Sequence, residues 1–83
     1  MKSLINMKST LLQAQKGQKL KVLKIEGDLV VCDRLYEIGF CPDEEVEVHQ
    51  QLLWNGPMIV AVRGTQVALR ESEAQCITIQ TQP

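Results

Sequence analysis

Four side chains of this sequence could hold a soft metal or pair a nucleophile with a base: Cys32, Cys41, Cys76 and the single histidine, His49. Their number fits a tetrahedral zinc site, in which thiolates and an imidazole complete the shell. Their spacing does not. Structural sites draw their ligands in close pairs, and no CxxC or HxxxH occurs here. Cys32 and Cys76 read instead as small buried hydrophobes, so no metal and no other cofactor is expected. Nucleophilic catalysis needs a nucleophile, a base and a group that orients the base. His49 shares the outward parity of Glu47 and Gln51 in an alternating stretch and reads as a solvated strand histidine. No catalytic residue is assigned, and an enzyme is not expected.

The acidic group Asp43, Glu44, Glu45 and Glu47 lacks the spaced ligands and glycine of a calcium loop and reads as a solvated edge. Lys16, Lys19, Lys21 and Lys24 lie close together, as in small nucleic-acid-binding barrels. Single-strand binders also need aromatic stacking platforms, and the chain has one Trp, one Tyr and one Phe. The lysines therefore read as the water-facing side of a first strand, and no nucleic-acid partner is expected.

The elements that would position these groups can be read from periodicity. Asp28 is a suitable N-cap, Gly39 a suitable left-handed C-terminal residue, and Pro42 blocks continuation, which predicts a helix over 29–38. Phe40 would fold back onto Leu35. Val31, Leu35 and Ile38 share one face with Cys32 beside them, while Asp33, Arg34 and Glu37 point outward. In the stretch from Lys19 to Glu26, Leu20 and Val22 have one parity and Leu23 and Ile25 the other, which a bulge or a strong bend would reconcile. Alternation from Glu45 predicts one long strand running to Trp54, ended by Asn55-Gly56-Pro57 in a loop wider than a two-residue turn. Met58–Val62 makes a further strand, Arg63-Gly64-Thr65 a turn, Thr65, Val67 and Leu69 alternating with Gln66, Ala68 and Arg70 another strand, residues 71–75 a single helical turn, and Ile77 and Ile79 a last strand.

Five strands and one inserted helix give a mainly β class: a small antiparallel β-barrel closed to remove its edges. The 83 residues make one domain over 11–83, and residues 1–10 form an N-terminal extension, loose or helical, in which Leu4, Met7 and Leu11 recur at helical spacing. Net charge is −1, yet residues 1–34 carry seven Lys/Arg against three Asp/Glu and residues 35–83 two against seven. No apolar run approaches the roughly 20 residues that span a bilayer. With three widely spaced cysteines and no secretory signal, a cytoplasmic location without membrane insertion is expected.

Taken in order, the residues resemble the bacterial ferrous-iron transport protein A (FeoA) family. The resemblance runs from Leu11 to Ile79: Leu11-Leu12 and Lys16-Gly17-Gln18; Arg34-Leu35, Ile38-Gly39-Phe40 and Pro42; Val46-Glu47-Val48; Gly56-Pro57; Val62-Arg63-Gly64; Val67-Ala68-Leu69-Arg70; and Ala74 with Ile77. Asp43 stands where the family usually has glycine, and residues 1–10 have no counterpart. The resemblance implies an SH3-like barrel acting as a small partner of the membrane ferrous-iron permease, whose cytoplasmic GTPase domain it would touch. It implies no catalytic residues. Carried onto this chain, the docking surface would comprise the helix and its exit, Leu35, Tyr36, Gly39, Phe40 and Pro42, with the neighbouring loop of Trp54, Gly56 and Pro57. Among these, Leu35 and Phe40 also suit the core and Gly39 suits backbone geometry, which leaves Tyr36, Trp54 and Pro57 as anchors. The alternative is an iron- or redox-sensing regulatory module controlling another protein such as a transcription factor. Weak self-association through strand edges is a further expectation.

Overall fold

Alternating apolar and polar residues build the strands, and in the computed structural model, which describes residues 7–52 and 56–81, six strands form one antiparallel sheet. They are β1 (Met7–Thr10), β2 (Lys19–Ile25), β3 (Glu45–Gln50), β4 (Met58–Val62), β5 (Thr65–Leu69) and β6 (Ile77–Thr81), in the order β1-β6-β2-β3-β4-β5. Helix α1 (Leu29–Ile38) lies between β2 and β3, and the single-turn α2 (Glu71–Ala74) precedes β6.

The sixth strand is β1. Residues 7–10, assigned from sequence to a loose or helical extension, pair with β6, Ser9 opposite Ile79 and Thr10 opposite Thr78. A turn or two of isolated helix is marginal in water, whereas the edge of β6 offers a ready ladder. Residues 1–6, including Leu4, lie outside the described residues. The sheet is also open: among the described residues no pairing joins β1 to β5, so the closed barrel expected from sequence is replaced by two short edges of four and five residues. Short edge strands are themselves a way of limiting unwanted pairing.

The parity conflict in β2 is resolved by a bulge. Val22 pairs with Ile79 and Lys24 with Thr78, so two steps on β2 match one on β6. Without the extra residue Ile25 would face water. A second shift between Val48 and Gln50 places His49 at a bulge in β3. This ends the strand at Gln50, short of the Trp54 expected from alternation; Gln51 and Leu52 lie outside any strand, and residues 53–55, with Trp54, lie outside the described residues. The Gln50 side chain donates to the Pro57 carbonyl at 3.0 Å, and the connection to β4 is indeed wider than a two-residue turn. By contrast β4 and β5 are joined by Arg63 (φ 53°) and Gly64 (φ 80°) alone, the positive-φ pair of a tight hairpin.

Helix α1 starts where the Asp28 carboxylate accepts the Val31 N–H at 3.1 Å, a cap worth about 1 kcal/mol. It stops at Gly39 (φ 127°): the Phe40 N–H reaches the Leu35 carbonyl at 3.0 Å and the Gly39 N–H the Tyr36 carbonyl at 3.1 Å. This paired closure satisfies two of the last carbonyls and returns the chain to the core. Leu35 and Phe40 have no exposed surface, and they join one apolar core with Val48, Val60 and Ile79.

Candidate functional site

The exit of α1, expected to dock a partner, is largely closed. Leu35 and Phe40 are fully buried and Gly39 is buried, so these three hold the exit together and offer no surface to a partner. A Cβ at Gly39 would stand 2.7 Å from Arg63 Cδ, which places the β4–β5 turn over the helix end. Arg63 also lies 3.9 Å from Glu44. Of the expected set, Tyr36 (42% exposed), Pro42 and Pro57 face solvent and Gly56 is half-buried. Among the described residues no hydrogen bond or ion pair links Tyr36 or Pro42 to Gly56 or Pro57; the loop is instead tied to β3 through Gln50. Asp43, where the family usually has glycine, adopts φ 74°, the left-handed conformation that glycine enters without strain.

The entrance of α1 is open. Gly27 (φ 136°) turns the chain from β2 into the helix, and a Cβ there would come within 2.8 Å of Cys76 Sγ. Beside this contact lies a cavity of about 580 Å³ lined by Glu26, Asp28, Val31, Ser72, Gln75 and Cys76. Leu29 and Val30, 78% and 77% exposed, stand next to it on the first turn. Sequence reasoning missed this region, although three apolar residues in succession, Leu29-Val30-Val31, cannot all face one core at helical periodicity.

Behind the entrance, Cys32 and Cys76 are buried free thiols, as their sequence context suggests. Burial pushes the Cys32 thiol up from its ordinary pKa, and the nearby Cys76, Asp28, Asp33 and Glu26 add to the shift. Glu73, only 5% exposed, is satisfied twice: Oε1 accepts the Arg70 N–H at 2.9 Å and Oε2 accepts from Arg34 Nη1. Arg34, exposed as its outward position predicts, thus also ties α1 to α2.

The remaining polar groups pair locally. Lys19 stands opposite Glu47 and Lys21 opposite Glu45, so part of the basic stripe is matched across the β2–β3 ladder. The His49 ring accepts from Gln66 Nε2 at 3.0 Å and lies 3.6 Å from Glu47. Among the described residues no three or more His, Cys, Asp and Glu side chains are grouped to hold a metal ion, and no helix is long and apolar enough to cross a membrane.

Known structures share this architecture. The FeoA of Stenotrophomonas maltophilia in complex with zinc, a prokaryotic SH3-domain protein, superposes with a TM-score of 0.75 at 28% identity, over 84% of this chain and 87% of its own. A FeoA-like protein from Clostridium acetobutylicum gives a TM-score of 0.77 at 24% identity, over 87% of this chain and 84% of its own. A manganese-dependent transcriptional repressor matches with a TM-score of 0.84 at 21% identity over 95% of this chain, which spans only 44% of the repressor. The fold is therefore SH3-like and mainly β. No curated protein sequence gives a significant match. The FeoA domain profile covers residues 9–81, from β1 through β6, and the chain belongs to the FeoA domain family.

Proposed function

We propose that this chain is a small cytoplasmic accessory protein of bacterial ferrous-iron uptake, which binds the cytoplasmic side of the ferrous-iron permease and adjusts its assembly or GTPase-coupled transport. The observation that carries this reading is the FeoA domain spanning residues 9–81. Exposed Tyr36 and Pro42 are the contacts offered at the helix exit, and Pro57 with Gly56 a further pair in the loop before β4; Trp54, expected to join them, lies outside the described residues. Binding, without catalysis, membrane insertion or nucleic acid, is the mode of action.

The test is ferrous-iron uptake by anaerobic cells lacking this protein, with the permease expressed constitutively so that control of its gene cannot contribute. A large loss of uptake at unchanged permease level supports direct action on the transporter. Unchanged uptake defeats it. A second reading, an iron- or redox-sensing module that controls a transcription factor, draws on the likeness to the manganese-dependent repressor. It requires Fe²⁺ binding that is abolished when Cys32, Cys41 and Cys76 are replaced by Ser, and a silent calorimetric titration would dismiss it.

A further inference from the structure

Three large apolar side chains are exposed among the described residues, and two of them, Leu29 and Val30, are adjacent at the entrance of α1. Isolated surface leucines need no explanation, but here the pair adjoins a cavity of about 580 Å³. Val31 continues the apolar surface into that cavity, which Cys76 also lines.

The charge around this patch is mainly negative. Glu26 and Asp28 line the cavity, and Asp33 lies four residues after Leu29, on the same helix face, with Glu37 one turn further. Lys24, 3.3 Å from Glu26, offsets one of these four carboxylates. Arg34, the cation on the helix itself, is engaged by Glu73. A second copy packed here about a two-fold axis would set these carboxylates against their own kind, and an anionic lipid surface would be repelled as well. Positive charge with apolar side chains is the complement.

We infer that the entrance of α1, Leu29 and Val30 with the cavity between Asp28 and Cys76, docks a basic, apolar peptide segment of a partner protein. This rests on the reading that the chain works by docking, and it moves the main contact from the helix exit to the helix entrance. The apolar side chains of the segment would cover Leu29 and Val30 and enter the cavity beside Val31. Its Lys or Arg side chains would meet Asp28, Asp33 and Glu37.

The test uses the ¹⁵N-labelled full chain and two capped five-residue peptides, one alternating leucine with lysine and the other alternating leucine with glutamate. The lysine peptide is expected to shift the amide resonances of residues 27–33, Ser72 and Gln75, and the glutamate peptide to leave them in place. Replacing both apolar residues, Leu29→Ser with Val30→Ser, is expected to weaken lysine-peptide binding about tenfold or more. Both sites are exposed, so the variant should fold, and its unchanged spectrum elsewhere would show that it does. Equal response to the two peptides, shifts centred on Tyr36 and Gly56, or no shift at millimolar peptide would each overturn the inference. So would shifts at residues 27–33 driven by protein concentration alone, which would identify a second copy as the occupant. No transporter takes part in the titration, so its failure is distinct from a negative uptake result.

Discussion

At the exit of α1, Gly39 lies against Arg63, and Leu35 and Phe40 have no surface left to offer. At the entrance, Gly27 lies against Cys76, but the first turn of the helix leaves Leu29 and Val30 in water beside a cavity. Both ends turn at a positive-φ glycine, and only one of them is sealed. The difference lies in the residues just past each glycine. Phe40 re-enters the core directly after Gly39, whereas Gly27 is succeeded by a polar cap and then by more apolar residues than one helix face can bury. A well-formed sequence signal, such as the glycine-terminated helix with its apolar contact, marks where the chain satisfies itself. An apolar excess beside such a signal marks where it does not.

The largest test of this contrast is core truncation at the exit against surface truncation at the entrance. Phe40→Ala should cost about 3–5 kcal/mol, a large share of the roughly 4–12 kcal/mol available to a domain of this size. Leu29→Ser with Val30→Ser should stay within about 0.5 kcal/mol per site, because neither side chain leaves a core. Urea unfolding of both variants measures the two effects directly. Comparable losses at the two ends would mean that the entrance is packed, and would dissolve the contrast.

A finer test compares the two glycines. An Ala at position 27 meets two obstacles, a φ of 136° and a Cβ 2.8 Å from Cys76 Sγ. The backbone strain alone is worth about 1–3 kcal/mol. Cys76→Ala removes the steric part only, so Gly27→Ala combined with Cys76→Ala should lose less stability than the two single changes added together. At Gly39 the obstacle is the flexible side chain of Arg63, so Gly39→Ala with Arg63→Ala should show little such relief. A coupling energy at 39 equal to that at 27 would remove the distinction between a rigid and a yielding neighbour.

How far the sequence reached depends on whether a feature is local. The bounds of α1, the irregularity in β2 and the turn after Val62 are each written within a few residues, and each is found there. The irregularity is a bulge, and the turn expected over Arg63-Gly64-Thr65 tightens to Arg63-Gly64, with Thr65 already paired to Val62. β1 was illegible because Met7-Lys8-Ser9-Thr10 has no pattern of its own and becomes a strand only beside β6. The early end of β3 was hidden in the same way, since the bulge at His49 depends on its register with β4. The Arg34–Glu73 pair joins residues 39 apart, and no periodicity reports it. The docking set fared unevenly for a related reason: Leu35, Gly39 and Phe40 carried the strongest signals because they are structural, while Leu29 and Val30 passed as ordinary helix.

The smallest expected effect is electrostatic and belongs to the entrance. Cys32 lies behind the entrance, where burial and then Cys76, Asp28, Asp33 and Glu26 hold its thiol above the ordinary pKa. The folded protein therefore keeps this proton at a pH where the unfolded chain, with its thiol near the usual value of about 8.5, has released it. The resulting stability is fully present below the unfolded thiol's pKa and is lost as pH rises through the higher folded value. Urea midpoints measured from pH 7 to 10 should fall, and the fall should be shallower in Cys32→Ala, whose pH 7 value will also carry the loss of a buried side chain. If Cys32→Ala falls as steeply as the parent, neither burial nor the acidic groups of the entrance hold the proton on this thiol, and the electrostatic argument for the entrance fails.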